Sequence, residues 1–237
     1  LARSAGQQRR HDRTAAEIRR HAAELLAEQG ETGLTLRAVA DRMDRSAGSL
    51  YGYYGSRDEL LGAVLGDFYL DALRAMQAAA NGAGRAPRAR VAALAGAYRR
   101  WALDHRREFR LMLDRGADAA VRPPVAGREP GSRLRFVTTL LDEAGPLLAA
   151  DRHPTPPPSA APELAHYRAV LAAMAPRSDE PTDGALFAAL AAWTDLHGYV
   201  VLEVLGHLPF YRADPEEMFG VALATALDRL DPAGGRH

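Results

Sequence analysis

The sequence predicts an all-α fold, and three observations carry the prediction. Apolar residues recur at three- and four-residue spacing along most of the chain. No alternating Val/Ile/Thr run reads as a strand. Helix-start signals stand directly ahead of several apolar runs. These give about nine to ten helices in two parts, an amino-terminal three-helix domain followed by a larger helical domain.

The first helix is predicted to open at the capping box Thr14-Ala15-Ala16-Glu17. It carries Ile18, Ala22, Leu25, Leu26 and Gln29 on one side and stops at Gly30. Residues 1–13 read as a basic tail. Through residue 20, Arg3, Arg9, Arg10, Arg13, Arg19 and Arg20 stand against only Asp12 and Glu17. A footprint on nucleic acid and a solvated arm both account for that excess. Leu1 in place of Met reads as a trimmed start.

Thr35 to Leu61 is the most informative stretch. Leu36, Val39, Ala40 and Met43 form one face of a short helix, Asp44 and Arg45 occupy a turn, and Ser46 is placed to cap the next helix. That helix runs through Ser49 to about Tyr53 and buries Leu50 and Tyr54. Ser56-Arg57-Asp58-Glu59 is a second capping box, which opens a helix to about Ala80. Two short helices about a tight turn place one helix in the major groove of DNA while the other braces it. Gly62 and Gly66 in the fourth helix read as points of close packing, with plain composition as the alternative.

Downstream, helices are predicted over Arg88–Asp104, Glu108–Leu113, Ser132–Ala150 and Glu163–Met174, with loops at Gly116–Gly131 and at the proline-rich, mobile Asp151–Pro162. Asp183–Leu208 reads as one helix about 39 Å long at 1.5 Å per residue. It is apolar around most of its circumference, so it needs cover on two sides. Asp214-Pro215-Glu216-Glu217 caps a last helix. A second copy of the chain is the simplest cover. Leu186, Leu190, Val201 and Leu205, with Phe219, Leu223 and Leu227, are the predicted interface of a four-helix homodimer bundle.

Composition excludes several function classes. The chain has no Cys, so no thiol nucleophile and no disulfide or Cys-based metal site. No His-Glu-x-x-His, Gly-x-Ser-x-Gly or phosphate-cradling glycine loop occurs, which argues against an enzyme and against any metal or cofactor. Glu203 and His207, four apart, read as a structural pair. No apolar run is judged long enough for a membrane and no signal peptide precedes the basic start, so the expected location is cytoplasmic. Net charge is zero at a pI near 7.3. All 30 cationic side chains of the Lys+Arg class are Arg, so every phosphate contact would come from a planar guanidinium.

Thr35, Ala40, Asp44-Arg45-Ser46, Leu50-Tyr51-Gly52-Tyr53-Tyr54, Ser56 and Arg57 resemble the DNA-binding pattern of the TetR family of bacterial repressors over about residues 14–66. The motif itself spans about 35–54, and 67–237 would be the effector-binding and dimerisation domain. The family's usual Gly, Val, His and Phe are here Asp44, Arg45, Tyr53 and Tyr54. Trp193-Thr194-Asp195-Leu196-His197-Gly198 resembles the signature of the WHG-type carboxy-terminal domain. The resemblance implies a homodimeric repressor on a palindromic double-stranded DNA operator, released by an unidentified small-molecule effector. In it Thr35 and Ser46 would offer hydroxyls to phosphates, Tyr51, Tyr53 and Arg57 would grip the backbone, and Arg37, Ala47, Gly48, Ser49 and Gly52 would face the bases. Arg45 would add hydrogen-bonding capacity that those small residues lack. Trp101, Phe109, Met112, Phe136, Tyr167, Trp193 and His197 are the predicted effector pocket, although aromatic residues at helical spacing also read as plain core. The competing reading is a helical small-molecule-binding or scaffold protein whose first domain no longer reads a specific site.

Overall fold

The computed structural model describes residues 5–120, 132–149, 153–174, 180–208 and 214–232. Among them stand ten α-helices: α1 (Ala5–Gly33), α2 (Leu36–Arg42), α3 (Ala47–Leu50), α4 (Arg57–Gly82), α5 (Pro87–Asp104), α6 (Arg106–Ala120), α7 (Ser132–Leu148), α8 (Ala161–Met174), α9 (Asp183–Leu205) and α10 (Pro215–Leu230). A 3₁₀ turn at Pro158–Ala160 precedes α8. The chain divides into two compact units, Leu1–Phe68 and Tyr69–His237, so the boundary lies inside α4.

In the first unit, α1 buries Ile18, Ala22, Leu25 and Leu26 as the spacing predicts, and its regular course breaks at Gly30 (φ 69°). Its start corrects the sequence reading. The helix is already formed at Ala5, so Thr14 sits mid-helix and residues 5–13 are not an irregular tail. The Ala, Gln and Arg of that segment are good helix formers, and the Gln8 amide donates to Asp12 one turn on at 2.8 Å. Arg3 lies outside the described residues.

The second unit is built around α9, which packs against α10 most extensively and also against α5, α6, α7 and α8. It ends at Leu205, three residues before the predicted Leu208, because Gly206 adopts the left-handed conformation (φ 77°) that closes a helix. Its 23 residues, with a stretch of 18 at mean hydropathy 1.4, are by length and composition enough to cross a membrane, which corrects the statement that no run is. Here Leu186, Ala192, Leu196, Val200 and Val204 are buried against neighbouring helices.

α6 continues to Ala120 instead of ending at Leu113; the rest of the expected 116–131 loop lies outside the described residues. The proline-rich segment, expected to be mobile, is pinned over its described part. His153 Nε2 donates to the Leu230 carbonyl at 3.1 Å, and a Cβ on Gly184 would stand 2.8 Å from the Pro154 carbonyl oxygen. Residues 151–152 lie outside the described residues. Glu203 pairs with Arg99, not with His207.

Gly62 also departs from its reading. It is exposed, and a Cβ there would meet nothing within 4 Å, so no close packing explains it. Gly62→Ala is therefore expected to raise the unfolding free energy by about 0.5–1 kcal/mol, the ordinary gain at an open helix interior. Urea denaturation checks this, and a loss of stability would show a constraint at that position.

Candidate nucleic-acid interface

The interface is assembled from α2, the turn and α3. Thr35, in extended backbone, caps α2 by accepting from the Ala38 N–H at 3.0 Å. Leu36, Val39 and Ala40 turn inward, which leaves Arg37 outward with 86% of its side chain exposed and Asp41 4.0 Å away. At the far end Asp44 takes φ 53°. The Arg45 N–H then reaches the Ala40 carbonyl at 2.9 Å and the Asp44 N–H reaches Asp41 at 3.2 Å. This is a Schellman closure with Asp44 in the left-handed position, a role Asp tolerates better than most non-glycine residues. The turn therefore keeps its geometry without the usual glycine.

The short helix α3 begins at Ala47, directly after the predicted cap position Ser46, but ends at Leu50 instead of about Tyr53 and gives way to a turn at Tyr51–Tyr53. Ser46 makes no side-chain cap, contrary to expectation. Instead the Ser49 hydroxyl donates to the Ser46 carbonyl at 2.7 Å, leaving the Ser46 hydroxyl exposed. Leu50 (1%) and Tyr54 (7%) anchor the segment from beneath. The Tyr54 hydroxyl donates to the Ala15 carbonyl at 3.3 Å and accepts from Arg19, whose Nε binds Asp67 at 2.5 Å. The phenol thus ties the motif to α1 through bonds that a phenylalanine would lack.

At the start of α4 the Ser56 hydroxyl accepts from the Glu59 N–H at 3.0 Å. Glu59 reaches back one residue further than predicted, to the Gly55 N–H at 2.7 Å. Arg57 is the clearest reassignment. Its Nε donates to the Leu34 carbonyl at 2.9 Å and its Nη2 to Glu31 at 2.6 Å, with Asp58 at 3.2 Å from Nη1. The guanidinium satisfies carbonyls that would otherwise be orphaned where α1 ends, so it serves the fold before any phosphate. Arg45 finds Glu17 at 3.8 Å.

Thr35, Arg37, Arg45, Ser46, Gly48, Ser49, Tyr51 and Gly52 are all exposed, with Tyr51 at 59%, while Ala47, Tyr53 and Arg57 are half-buried. A surface of hydroxyls, glycines and an outward guanidinium is held by a buried apolar underside. It can approach a polyanion closely and donate hydrogen bonds to it. Sequence reasoning missed His11, whose ring stacks on Tyr53 with centroids 4.5 Å apart, because residues before Thr14 were read as irregular.

The second predicted site is brought together in part. Tyr98, absent from the predicted set, is its centre. It packs ring to ring against Phe109, Phe136, Trp193 and His197, at 5.5 to 6.1 Å between centroids. Its hydroxyl lies 2.6 Å from His197 Nδ1. Burial pushes the Tyr98 phenol well above its ordinary value and holds the His197 imidazole below its own. The phenol therefore keeps its proton and donates to Nδ1, leaving the imidazole proton on Nε2. Met112 is buried, and its carbonyl accepts from the Tyr69 hydroxyl at 3.4 Å. Trp101 stands apart, stacked on His105 and donating to Asp71 at 2.9 Å. Tyr167 is 40% exposed on α8 and is not part of the cluster.

The predicted interface residues also sort differently. Leu186, Phe219 and Leu227 are buried within the chain, and Leu190, Val201, Leu205 and Leu223 are half-buried. Leu202 (43%) and Val221 (60%), outside the predicted interface set, are the large apolar side chains that α9 and α10 leave exposed.

An exposed two-helix motif on a small helical unit, followed by a larger helical unit, defines a helix-turn-helix DNA-binding regulator. Residues 18–64 match the family described as bacterial regulatory proteins, tetR family, and residues 91–226 match the tetracyclin repressor-like C-terminal domain. The chain belongs to the TetR family of transcriptional regulators, which are not enzymes. It is 28% identical over 215 residues to the uncharacterised HTH-type transcriptional regulator Rv0681 of Mycobacterium tuberculosis, covering 89% of this chain and 79% of that one. Among solved structures it resembles the putative regulatory protein SCO4313 (27% identity, 96% and 99% of the two chains, TM-score 0.62). The TetR regulator SCO7222 of Streptomyces coelicolor shares the fold (20% identity, 90% and 95%, TM-score 0.58).

Proposed function

We propose that the chain is a cytoplasmic homodimeric repressor that holds a palindromic operator and releases it when a small molecule occupies the second unit. The observation that carries this reading is the exposed Thr35-to-Gly52 surface with Arg37 pointing outward. Two copies would enter successive major grooves about 34–36 Å apart. Leu202 and Val221, flanked by half-buried Leu190, Val201, Leu205 and Leu223, supply the apolar stripe for the pairing of α9 and α10 across a two-fold axis. The stacked Trp193 and His197 (4.9 Å), with Gly198 beside them in sequence, support the WHG-type reading of that unit. Their cluster, with its one Tyr98–His197 hydrogen bond, is the proposed place for an effector to act. Such a ligand shifts DNA affinity only by binding the two subunit arrangements unequally.

The test is a gel shift with the DNA flanking the gene. Arg37→Ala is expected to cost about 1–3 kcal/mol of binding and to relax sequence preference at one operator position. An equal loss on every duplex would move Arg37 to the phosphates. Absence of any shift by the unaltered protein would overturn the reading.

A further inference from the structure

Every arginine of the first unit from Arg19 onward has an acidic or carbonyl partner. Arg19 holds Asp67, Arg20 holds Glu24, Arg42 holds Glu28, Arg45 faces Glu17, and Arg57 serves the end of α1. Even Arg37 has Asp41 at 4.0 Å. Arg9, Arg10 and Arg13 differ: they are exposed, and none bonds or pairs with another described residue. All three lie on the early turns of α1.

These turns are not a loose arm. Gln7, Arg10, His11 and Thr14 follow one another at i, i+3, i+4 and i+7, a single stripe that continues into fully buried Ile18. Beyond Ile18 the stripe changes from apolar to polar as it leaves the core. It forms one wall of an open cleft, and the other wall is Tyr53, which follows α3. His11, half-buried, lies flat on the Tyr53 ring (15° between planes), which fixes the helix against the motif. One turn further along, Glu17 faces Arg45 of the α2–α3 turn.

We propose that this cleft is a clamp for one DNA backbone phosphate, flanking the groove entered by α3. Arg10 is the cation, and the Tyr53 and Thr14 hydroxyls are the neutral donors. His11 is a positioning residue that keeps Arg10 at the lip. Its donor set suits an anion: a free guanidinium, two hydroxyls and no carboxylate on the lining. Helical order in residues 5–13 removes the conformational freedom that a floppy arm would lose on binding. This inference rests on the DNA-binding reading above.

The experiment measures affinity of the full chain for a labelled mixed-sequence duplex from about 50 to about 200 mM KCl, since each phosphate neutralised contributes about 0.9 to the slope of log K against log salt. Arg10→Ala is expected to lower that slope by about 0.9 per bound subunit. His11→Ala should lower affinity, and His11→Phe, which keeps the stack, should restore it. Arg10 is exposed and unpaired, so circular dichroism should show an unchanged fold. A slope unchanged by Arg10→Ala, with the parent protein still binding DNA, overturns the clamp alone. Loss in His11→Phe equal to that in His11→Ala overturns the positioning role. No binding by the parent protein to any duplex overturns the DNA-binding reading itself.

Discussion

Replacing Glu203 by Gln is expected to lower the unfolding free energy by about 3 kcal/mol. Glu203 on α9 accepts two parallel bonds from Arg99 on α5, at 2.7 Å from Nε and 2.6 Å from Nη2. The side chains are only 11% and 9% exposed, and the Phe219 ring of α10 covers the guanidinium at 5.1 Å. Three helices therefore meet on one largely buried charge pair. The amide keeps the shape but removes the carboxylate bonded to a largely buried cation, leaving only the weaker pull of Glu216, and that cost dominates. Loss should sit near the lower end for buried pairs, because one edge of the guanidinium still meets water. Removing both charges tells the cost of breaking the pair from the worth of having it. Arg99→Met with Glu203→Leu should recover most of the stability, since an apolar pair of similar volume needs no compensation. Chemical denaturation of both singles and the double measures the coupling. A single-variant loss below about 1 kcal/mol would mean that water reaches the pair freely.

The sequence disclosed this pair only as a wrong partnership. Glu203 and His207 are four apart and would share a helix face, but Gly206 ends α9 between them. Local spacing cannot report that Arg99, far away in sequence, arrives on α5. The same limit explains the interface. α9 is apolar nearly all round, so periodicity alone does not tell which of Leu186 and Leu202 faces the chain's own core, whereas neighbouring helices bury Leu186 to 1% and leave Leu202 at 43%. Where a signal is stereochemical and local, it transferred well. Thr35, Asp44, Ser56 and Asp214 sit where side-chain caps or left-handed closure require them, whereas Thr14 lies inside α1 and Ser46 makes no side-chain cap.

The outward face of the motif was legible for a related reason. The buried anchors Leu50 and Tyr54 and the turn at Asp44 fix which way Arg37, Ser46 and Ser49 point. The carbonyl partners of Arg57 were not foreseen because a guanidinium's reach is long and the Leu34 and Glu31 carbonyls are backbone atoms with no residue-type signature. His11 was overlooked because helix-starting residues such as Thr14 also occur inside helices. Only the helical propensity of the preceding segment could have shown that α1 begins earlier.

The largest loss expected in the second unit comes from Tyr98→Ala, about 4 kcal/mol. Tyr98 is 2% exposed and touches four rings, so deleting its side chain leaves a void that those rings cannot all fill. Tyr98→Phe keeps the packing and removes only the donor to His197 Nδ1, stranding a partly buried acceptor at about 1–3 kcal/mol. His197→Phe in that background should restore part of the loss, because no unsatisfied nitrogen remains. The histidine also carries a pH signature. Unfolded, it titrates near about 6.5; folded, burial holds it lower. The unfolded chain takes up the proton first, so this group's contribution to stability is complete above about pH 6.5 and declines as pH falls through the folded value. Melting temperatures of the parent protein and His197→Phe should therefore diverge on acidification, with the parent falling faster. Parallel curves would show that His197 is solvated, and with it the geometry of the whole aromatic cluster would need revision.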